Sequence, residues 1–274
     1  MFNKWSPSLA FFALLCNVNV RPKKHLGQHF LLDLSICERI AEAITGVGET
    51  KKIIEVGPGT GALTQFLMKL PFETSVVEVD DESVAYLNAY YPALRGRIFE
   101  EDFLRMNLKE SFGDNFCVVG NFPYNISSQI LFKVLDEWEC VPEVVGMFQK
   151  EVAERIASGP GSRDYGILSV LLQAHYEIKY LFTVEPEVFN PPPKVKSGVL
   201  RMQRRPAPLV TSQQKEFKQV VKLAFNQRRK TIRNSVKSLL QPGITSENDL
   251  FNKRPEQLSV EQFIELTSIL FPNK

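Results

Sequence analysis

The stretch Gly120-Asn-Phe-Pro-Tyr124 brings together an amide side chain, a proline-bounded carbonyl and an aromatic face. That set suits a base carrying an exocyclic amine. The lone pair of such an amine is delocalised into the ring, so the nitrogen is a poor nucleophile. The Asn121 side-chain oxygen and the Phe122 carbonyl are acceptors for its two N–H bonds. Accepting both favours a pyramidal nitrogen with its lone pair aimed outward. Pro123 fixes the loop and directs the carbonyl, and Tyr124 offers a face for stacking an unpaired base. Attack on an already activated methyl group needs no strong base and no metal, so positioning and electrostatics would carry it. Taken alone, the five residues fit an ordinary Asn/Pro turn equally well.

A second set is Glu55-Val-Gly-Pro-Gly-Thr-Gly61. Glycines let the backbone pass close to a ligand, and a helix N-terminus beyond them leaves N–H groups free. Glu78 falls near the end of the next strand, where a carboxylate can accept both hydroxyls of a ribose. With Ala62 in the last position the loop also meets the dinucleotide pattern G-x-G-x-x-G/A. At this loop a nicotinamide oxidoreductase and a methyltransferase both remain open.

The elements that must hold these residues follow from periodicity. Strands are expected at Lys51–Val56, Thr74–Val79, Arg97–Glu100, Cys117–Val119 and Val144–Gln149, with further β signals near Tyr176–Val184 and Val199–Met202. Helices are expected after Asp33 as N-cap and over Ala62–Leu70, Asp81–Tyr90, Ser127–Leu135 and Glu151–Ala157. Strands alternating with helices at this spacing predict an α/β fold, a parallel sheet covered on both faces, with the ligand at the carboxyl ends of its strands. The pattern changes at Pro206-Ala-Pro208. Beyond it Phe217, Val220, Val221, Ala224 and Phe225 share a helical face, and Arg229, Arg233 and Lys237 recur every four residues as a basic stripe on a helix broken at Pro242-Gly243. Residues 21–205 thus read as a catalytic domain and 206–274 as a small all-helical one.

The chain has 274 residues, 44% of them apolar and 23% charged, which excludes a disordered or disulfide-stapled protein. The net charge of +2 hides an asymmetry. Lys194–Lys237 holds thirteen bases and one acid, Glu216, leaving twenty bases against thirty acids elsewhere. Such a segment suggests a polyanionic partner, although a solvated face has the same composition. The four cysteines lack paired spacing and the three histidines are scattered, so no metal site and no redox motif is expected. Reduced thiols point to a cytoplasmic setting. The apolar run Leu9–Cys16 is too short to span a membrane and lacks a small-residue cleavage site, so residues 1–20 read as an uncertain extension.

Seven ordered blocks then carry a resemblance: Lys23-Lys-His-Leu-Gly-Gln-His-Phe-Leu-Leu-Asp33, Glu55–Gly61, Val77-Glu-Val-Asp80, Glu101-Asp-Phe103, Gly120-Asn-Phe-Pro-Tyr-Asn-Ile-Ser-Ser128, Val188-Phe-Asn-Pro-Pro-Pro-Lys-Val-Lys-Ser197 and Ala224-Phe-Asn-Gln-Arg-Arg-Lys-Thr-Ile-Arg-Asn234. The chain resembles the ribosomal RNA adenine dimethyltransferase family, in particular its small-subunit branch. The resemblance implies a Rossmann-like class I methyltransferase sheet. It also implies S-adenosylmethionine as cofactor and dimethylation of N6 on two adjacent adenines near the 3′ end of small-subunit ribosomal RNA, in an immature small ribosomal subunit. By resemblance His29, Leu31 and Gly57 touch the cofactor. Glu78 holds its ribose, Asp102 accepts from its adenine amine, and Asn121 lies between cofactor and target. Tyr124 and Phe189 sandwich the target base. The family usually has Asn where this chain has His29, which a backbone contact would tolerate and a side-chain contact would not. Lys194, Lys196, Arg228, Arg229, Lys230 and Arg233 would face RNA phosphates. A monomer with no membrane partner is expected. The other readings are a large-subunit methyltransferase of the macrolide-resistance type and a non-catalytic ribosome-assembly factor.

Overall fold

The computed structural model of the protein describes residues 20–210, 212–240 and 248–272. The expected N-terminal extension, Val20 excepted, and the Pro242-Gly243 helix break lie outside these.

Among the described residues nine strands are formed: β1 (Phe30–Leu31), β2 (Lys52–Val56), β3 (Glu73–Val77), β4 (Ile98–Phe99), β5 (Phe116–Asn121), β6 (Glu143–Gln149), β7 (Tyr176–Val184), β8 (Phe189–Asn190) and β9 (Ser197–Arg204). Seven make one sheet in the order β4-β3-β2-β5-β6-β9-β7, and β1 pairs separately with β8. The pairings from β4 across to β6 are parallel, whereas β9 runs antiparallel to β6. Near-continuous burial along β5 and β6 accounts for their apolar runs, since parallel strands are covered on both faces. The chain leaves β2 toward β3 on one side, and β5 flanks β2 on the other. The crevice at the carboxyl ends of β2 and β5 is therefore the topological switch point, where ligands of such sheets bind.

The helices sit close to expectation. Asp33 caps Leu34–Glu42, its carboxylate accepting from the Ser35 N–H at 2.9 Å. Asp81–Tyr90 and Ser127–Asp136 are regular. After the glycine loop only Thr64–Leu67 is α-helical, and turns take up the rest of the span expected as helix.

The chain divides into two compact units, residues 1–153 with 179–203 and residues 154–178 with 204–274. The boundary is thus crossed more than once, not only near residue 205. In the second unit Ile167–His175 packs on the helices Gln214–Asn226 and Val260–Leu270. Its run Ile-Leu-Ser-Val-Leu-Leu-Gln-Ala-His buries Val170, Leu171, Leu172 and Ala174, so it must be covered on more than one side. Phe225 bridges the rings of Tyr165 and Phe263 in the same unit.

The basic stripe is corrected. The helix stops at Asn226, residues 227–230 form a turn, and a new short helix begins at Ile232. A continuous helix would stack Arg229, Arg233 and Lys237 as repelling neighbours four residues apart. The break instead lets Arg228 donate to the Ser162 carbonyl at 3.3 Å and lie 3.9 Å from Glu256.

Candidate active site

Five segments of the first unit meet at the crevice: the strap Leu26–Leu31, the glycine loop after β2, the acidic end of β3, the segment Glu101–Leu104 after β4 and the turn after β5. They enclose a cavity of about 370 Å³, within the size range of small-molecule sites. His29, Leu31, Gly57, Glu78, Asp102, Asn121, Phe122, Pro123 and Tyr124 all line it. The structure therefore brings together every cofactor-side residue expected from the sequence.

The glycine loop is braced from outside. Gly61 has a left-handed φ of 79°, and a Cβ there would stand 2.5 Å from the Tyr91 hydroxyl. That hydroxyl donates to the Gly61 carbonyl at 2.9 Å, so only glycine meets both demands. Glu78 sits beyond β3, buried to 4% exposure. One carboxylate oxygen accepts from the N–H groups of Val79 (2.9 Å) and Asp80 (3.0 Å), the other from Gly59 (3.1 Å). Burial raises its pKa above the ordinary carboxylate range, and those three N–H bonds oppose the rise. Three of the roughly four acceptor sites of the carboxylate are thus taken, and Oε2 keeps one for a ribose hydroxyl of a nucleoside cofactor. Asp102 is more open. It accepts from the Leu104 N–H at 3.0 Å and pairs with Arg105 at 3.4 Å.

Asn121 ends β5. Its Nδ2 donates to the His29 backbone carbonyl at 2.9 Å, which fixes the amide orientation and leaves Oδ1 for a donor in the cavity. The contact uses the backbone of residue 29, so His in place of Asn leaves it intact. Phe122 contributes only its carbonyl, because its ring is fully buried. The ring fills a slot above two glycines. A Cβ on Gly146 of β6 would lie 2.1 Å from it, and one on Gly120 would lie 3.0 Å away. Tyr124 is half-buried, and its hydroxyl is 2.5 Å from Ser197 Oγ. Burial raises its pKa and the Ser197 bond opposes the rise, so the phenol stays neutral.

Phe189 is a correction. It is 3% exposed and packs in the core with Leu31, Val184 and Val199 rather than lining the cavity. Pairing of β8 with β1 sets Phe189 opposite Leu31 and turns its ring inward, a facing that the proline run after it does not specify. Lys194, Arg229, Lys230 and Arg233 are exposed. Lys196 pairs with Glu185 at 2.8 Å, and Arg228 is tied down as described.

Three features escaped the sequence reading. Lys23 pairs with Asp80, and Gln28 donates to the same carboxylate at 3.4 Å, tying the strap to the rim. Burial works against ionisation of Asp80, but the bonds from Lys23, Ser83 and Gln28 outweigh it and lower its pKa. Ser197 and Gly146 are the others. Neither residue type signals chemistry, and only the neighbour across the sheet or turn reveals the role.

The ribosomal RNA adenine dimethylase family model matches residues 19–271. The chain belongs to the ribosomal RNA adenine dimethylase family. It is 57% identical to the ribosomal RNA small subunit methyltransferase A of Parabacteroides distasonis, over 91% of this chain and 94% of that one. The crystal structure of a dimethyladenosine transferase from Plasmodium falciparum superposes with a TM-score of 0.73 at 22% identity, covering 89% of this chain and 98% of that one. That of the 23S rRNA methyltransferase ErmE gives 0.67 at 25% identity, covering 88% and 99%. The adenine dimethylase thus has the class I methyltransferase fold, and none of its helices among the described residues is long and apolar enough to cross a membrane.

Proposed function

We propose that this chain transfers methyl groups from S-adenosylmethionine to N6 of two adjacent adenines near the 3′ end of small-subunit (16S) ribosomal RNA. It acts as a monomer on an immature small subunit in the cytoplasm. The observation that carries the reading is the orientation of Asn121: with Nδ2 committed to His29, Oδ1 is left for a donor in the cavity that Phe122 and Glu78 also line.

Gly57 and Glu78 would hold the cofactor's backbone side and ribose, Asp102 its adenine amine, and the backbone of residue 29, not its imidazole, would close over it with Leu31. When bound, the cofactor supplies a methyl group on a sulfonium, already activated for transfer. An extruded adenine, whose unstacking costs a few kcal/mol, would rest on Tyr124. Asn121 Oδ1 and the Phe122 carbonyl accept its two N6–H bonds and turn the lone pair toward the methyl group. With the cofactor held by Gly57, Glu78 and Asp102, N6 would take its methyl group while the carbon–sulfur electron pair stays with the cofactor, and the N6 proton would pass to solvent. Most of the rate enhancement then comes from preorganised acceptors. Lys194, Arg229, Lys230 and Arg233 supply phosphate contacts that orient the RNA without reading its bases. Arg228 and Lys196 join them only by leaving their carboxylate partners. Phe189 would stack on the target only after leaving the core.

The large-subunit alternative is disfavoured, since the chain is 57% identical to a small-subunit relative and 25% identical to a large-subunit one. Incubation with labelled cofactor and purified unmethylated small or large subunits tests the reading. Label is expected in small-subunit RNA, at two adjacent adenines. Label confined to the large subunit would support the alternative, and RNA binding without transfer would support an assembly factor.

A further inference from the structure

We propose that the imidazole of His29 is a positioning residue for the target base, acting through the ring of Tyr124; the inference rests on the methyl-transfer reading above. Residue 29 makes three contacts with three different parts of the site. Its backbone carbonyl accepts from Asn121 Nδ2 at 2.9 Å. Its Nδ1 lies 2.7 Å from the Pro191 carbonyl, so Nδ1 carries the proton and donates. Its ring centroid lies 5.4 Å from that of Tyr124, with the planes 30° apart. The first contact belongs to the backbone and is shared by any residue at this position. The other two belong to the imidazole.

The geometry of Tyr124 explains why such a contact matters. Its hydroxyl is held by Ser197 Oγ at 2.5 Å. That bond fixes the oxygen at the tip of the ring. The remaining torsion, χ2, turns the ring about the axis running from Cγ to that oxygen, and a bond at the tip does not resist it. The plane of the ring is what a stacked base reads. An offset neighbouring ring sets that plane, because tilted stacking is lost when the ring turns. His29 is itself held in place by its bond to Pro191 and by the adjoining β1–β8 pairing, where Phe30 faces Asn190 and Leu31 faces Phe189. With Phe189 turned into the core, His29 is, among the described residues, the aromatic side chain whose ring lies against Tyr124 in the cavity wall.

The chemical and positioning roles of residue 29 therefore separate. Exchanging the imidazole leaves the Asn121 contact and the cofactor side untouched, but frees the Tyr124 plane. We compare wild type with His29→Ala, His29→Phe and His29→Asn, measuring steady-state transfer to unmethylated small subunits and the Kd for S-adenosylmethionine. In the Ala and Asn variants KM for the subunit is expected to rise about threefold to tenfold, the range of an aromatic pair. Their kcat and cofactor Kd should stay within about twofold of wild type. His29→Phe restores the ring without the N–H and should recover most of the KM. An unchanged KM in His29→Asn overturns the inference. So does a lowered KM, which would mean that the imidazole covers the face the base needs, and so does a rise in cofactor Kd as large as that in KM. Should His29→Ala fail to fold, the contrast between Phe and Asn decides the matter. A wild-type protein that transfers no methyl group to small subunits refutes the functional reading itself, an outcome distinct from any change among the variants.

Discussion

Glu55 and Glu78 lie at the carboxyl ends of neighbouring strands, and water has been removed from both. Glu55 is 2% exposed and takes one hydrogen bond, from Thr64 Oγ1 at 2.6 Å. Burial pushes its pKa from the ordinary 4.5 up to about 8, with the Thr64 bond opposing and the nearby Glu78 charge adding to the rise. The folded protein thus keeps a proton that the unfolded chain releases. Stability must fall as pH rises from about 4.5 to about 8 and level off above that. Glu55→Gln retains the Thr64 acceptor and removes this dependence. Urea unfolding should find the variant close to wild type at pH 5 and more stable by roughly 2–4 kcal/mol at pH 8. A constant difference across that range would mean that Glu55 is ionised when folded. The placement of Glu78 at the cavity was legible in the sequence, because a carboxylate near the end of the second strand falls at the carboxyl edge of the sheet. The environment of Glu55 was not, since a carboxylate inside a glycine motif gives no sign of how deeply it lies. Phe122 and Phe189 show the same limit. Their identities were plain, but which way each ring turns depends on strand partners far along the chain.

At the scale of elements, the turn after β5 is held by a strand that does no chemistry. Gly146 in β6 leaves the slot into which the Phe122 ring descends, and that ring anchors Asn121 and Pro123 on either side. Gly146→Ala places a methyl 2.1 Å from a ring with no free space to move into. Denaturant unfolding should show a loss of about 3 kcal/mol, and methyl transfer should fall further than the loss of folded protein explains. Wild-type stability would show that the ring is not confined. The basic segment also depends on its elements. Period-four spacing suggested one helix, whereas the chain breaks after Asn226, because backbone geometry at residues 227–231 serves Arg228 and the buried Ile232. The exposed Arg229 and Arg233 remain the candidates for phosphate. Charge reversal of both should weaken binding to small-subunit RNA and lower the slope of log K against log salt by about two, leaving cofactor affinity unchanged. An unchanged slope would remove this turn from the interface.

For the whole molecule, the alternation of strands and helices was enough to predict the sheet and its binding edge, because that logic is local and repeats along the chain. The division into two units was less legible. The segment 154–178 belongs with the C-terminal helices, yet its Gly/Pro run, Ser158-Gly-Pro-Gly-Ser162, lies inside it rather than at its boundaries. Its membership follows from the all-round apolar surface of Ile167–His175, which only the assembled helices can cover. Charge asymmetry was readable as a total but not as a surface. Several of the counted bases, Lys196 and Arg228 among them, are engaged within their own unit.

The central claim is that Asn121 activates an amine by geometry alone. The most direct measurement is the single-turnover rate of methyl transfer by Asn121→Ala, with cofactor and unmethylated small subunits both saturating. The variant gives up one hydrogen bond to the His29 carbonyl, so its unfolding free energy should change by only about 1 kcal/mol. Its transfer rate should fall about 100-fold or more while both ligands still bind. A rate within threefold of wild type would contradict the account.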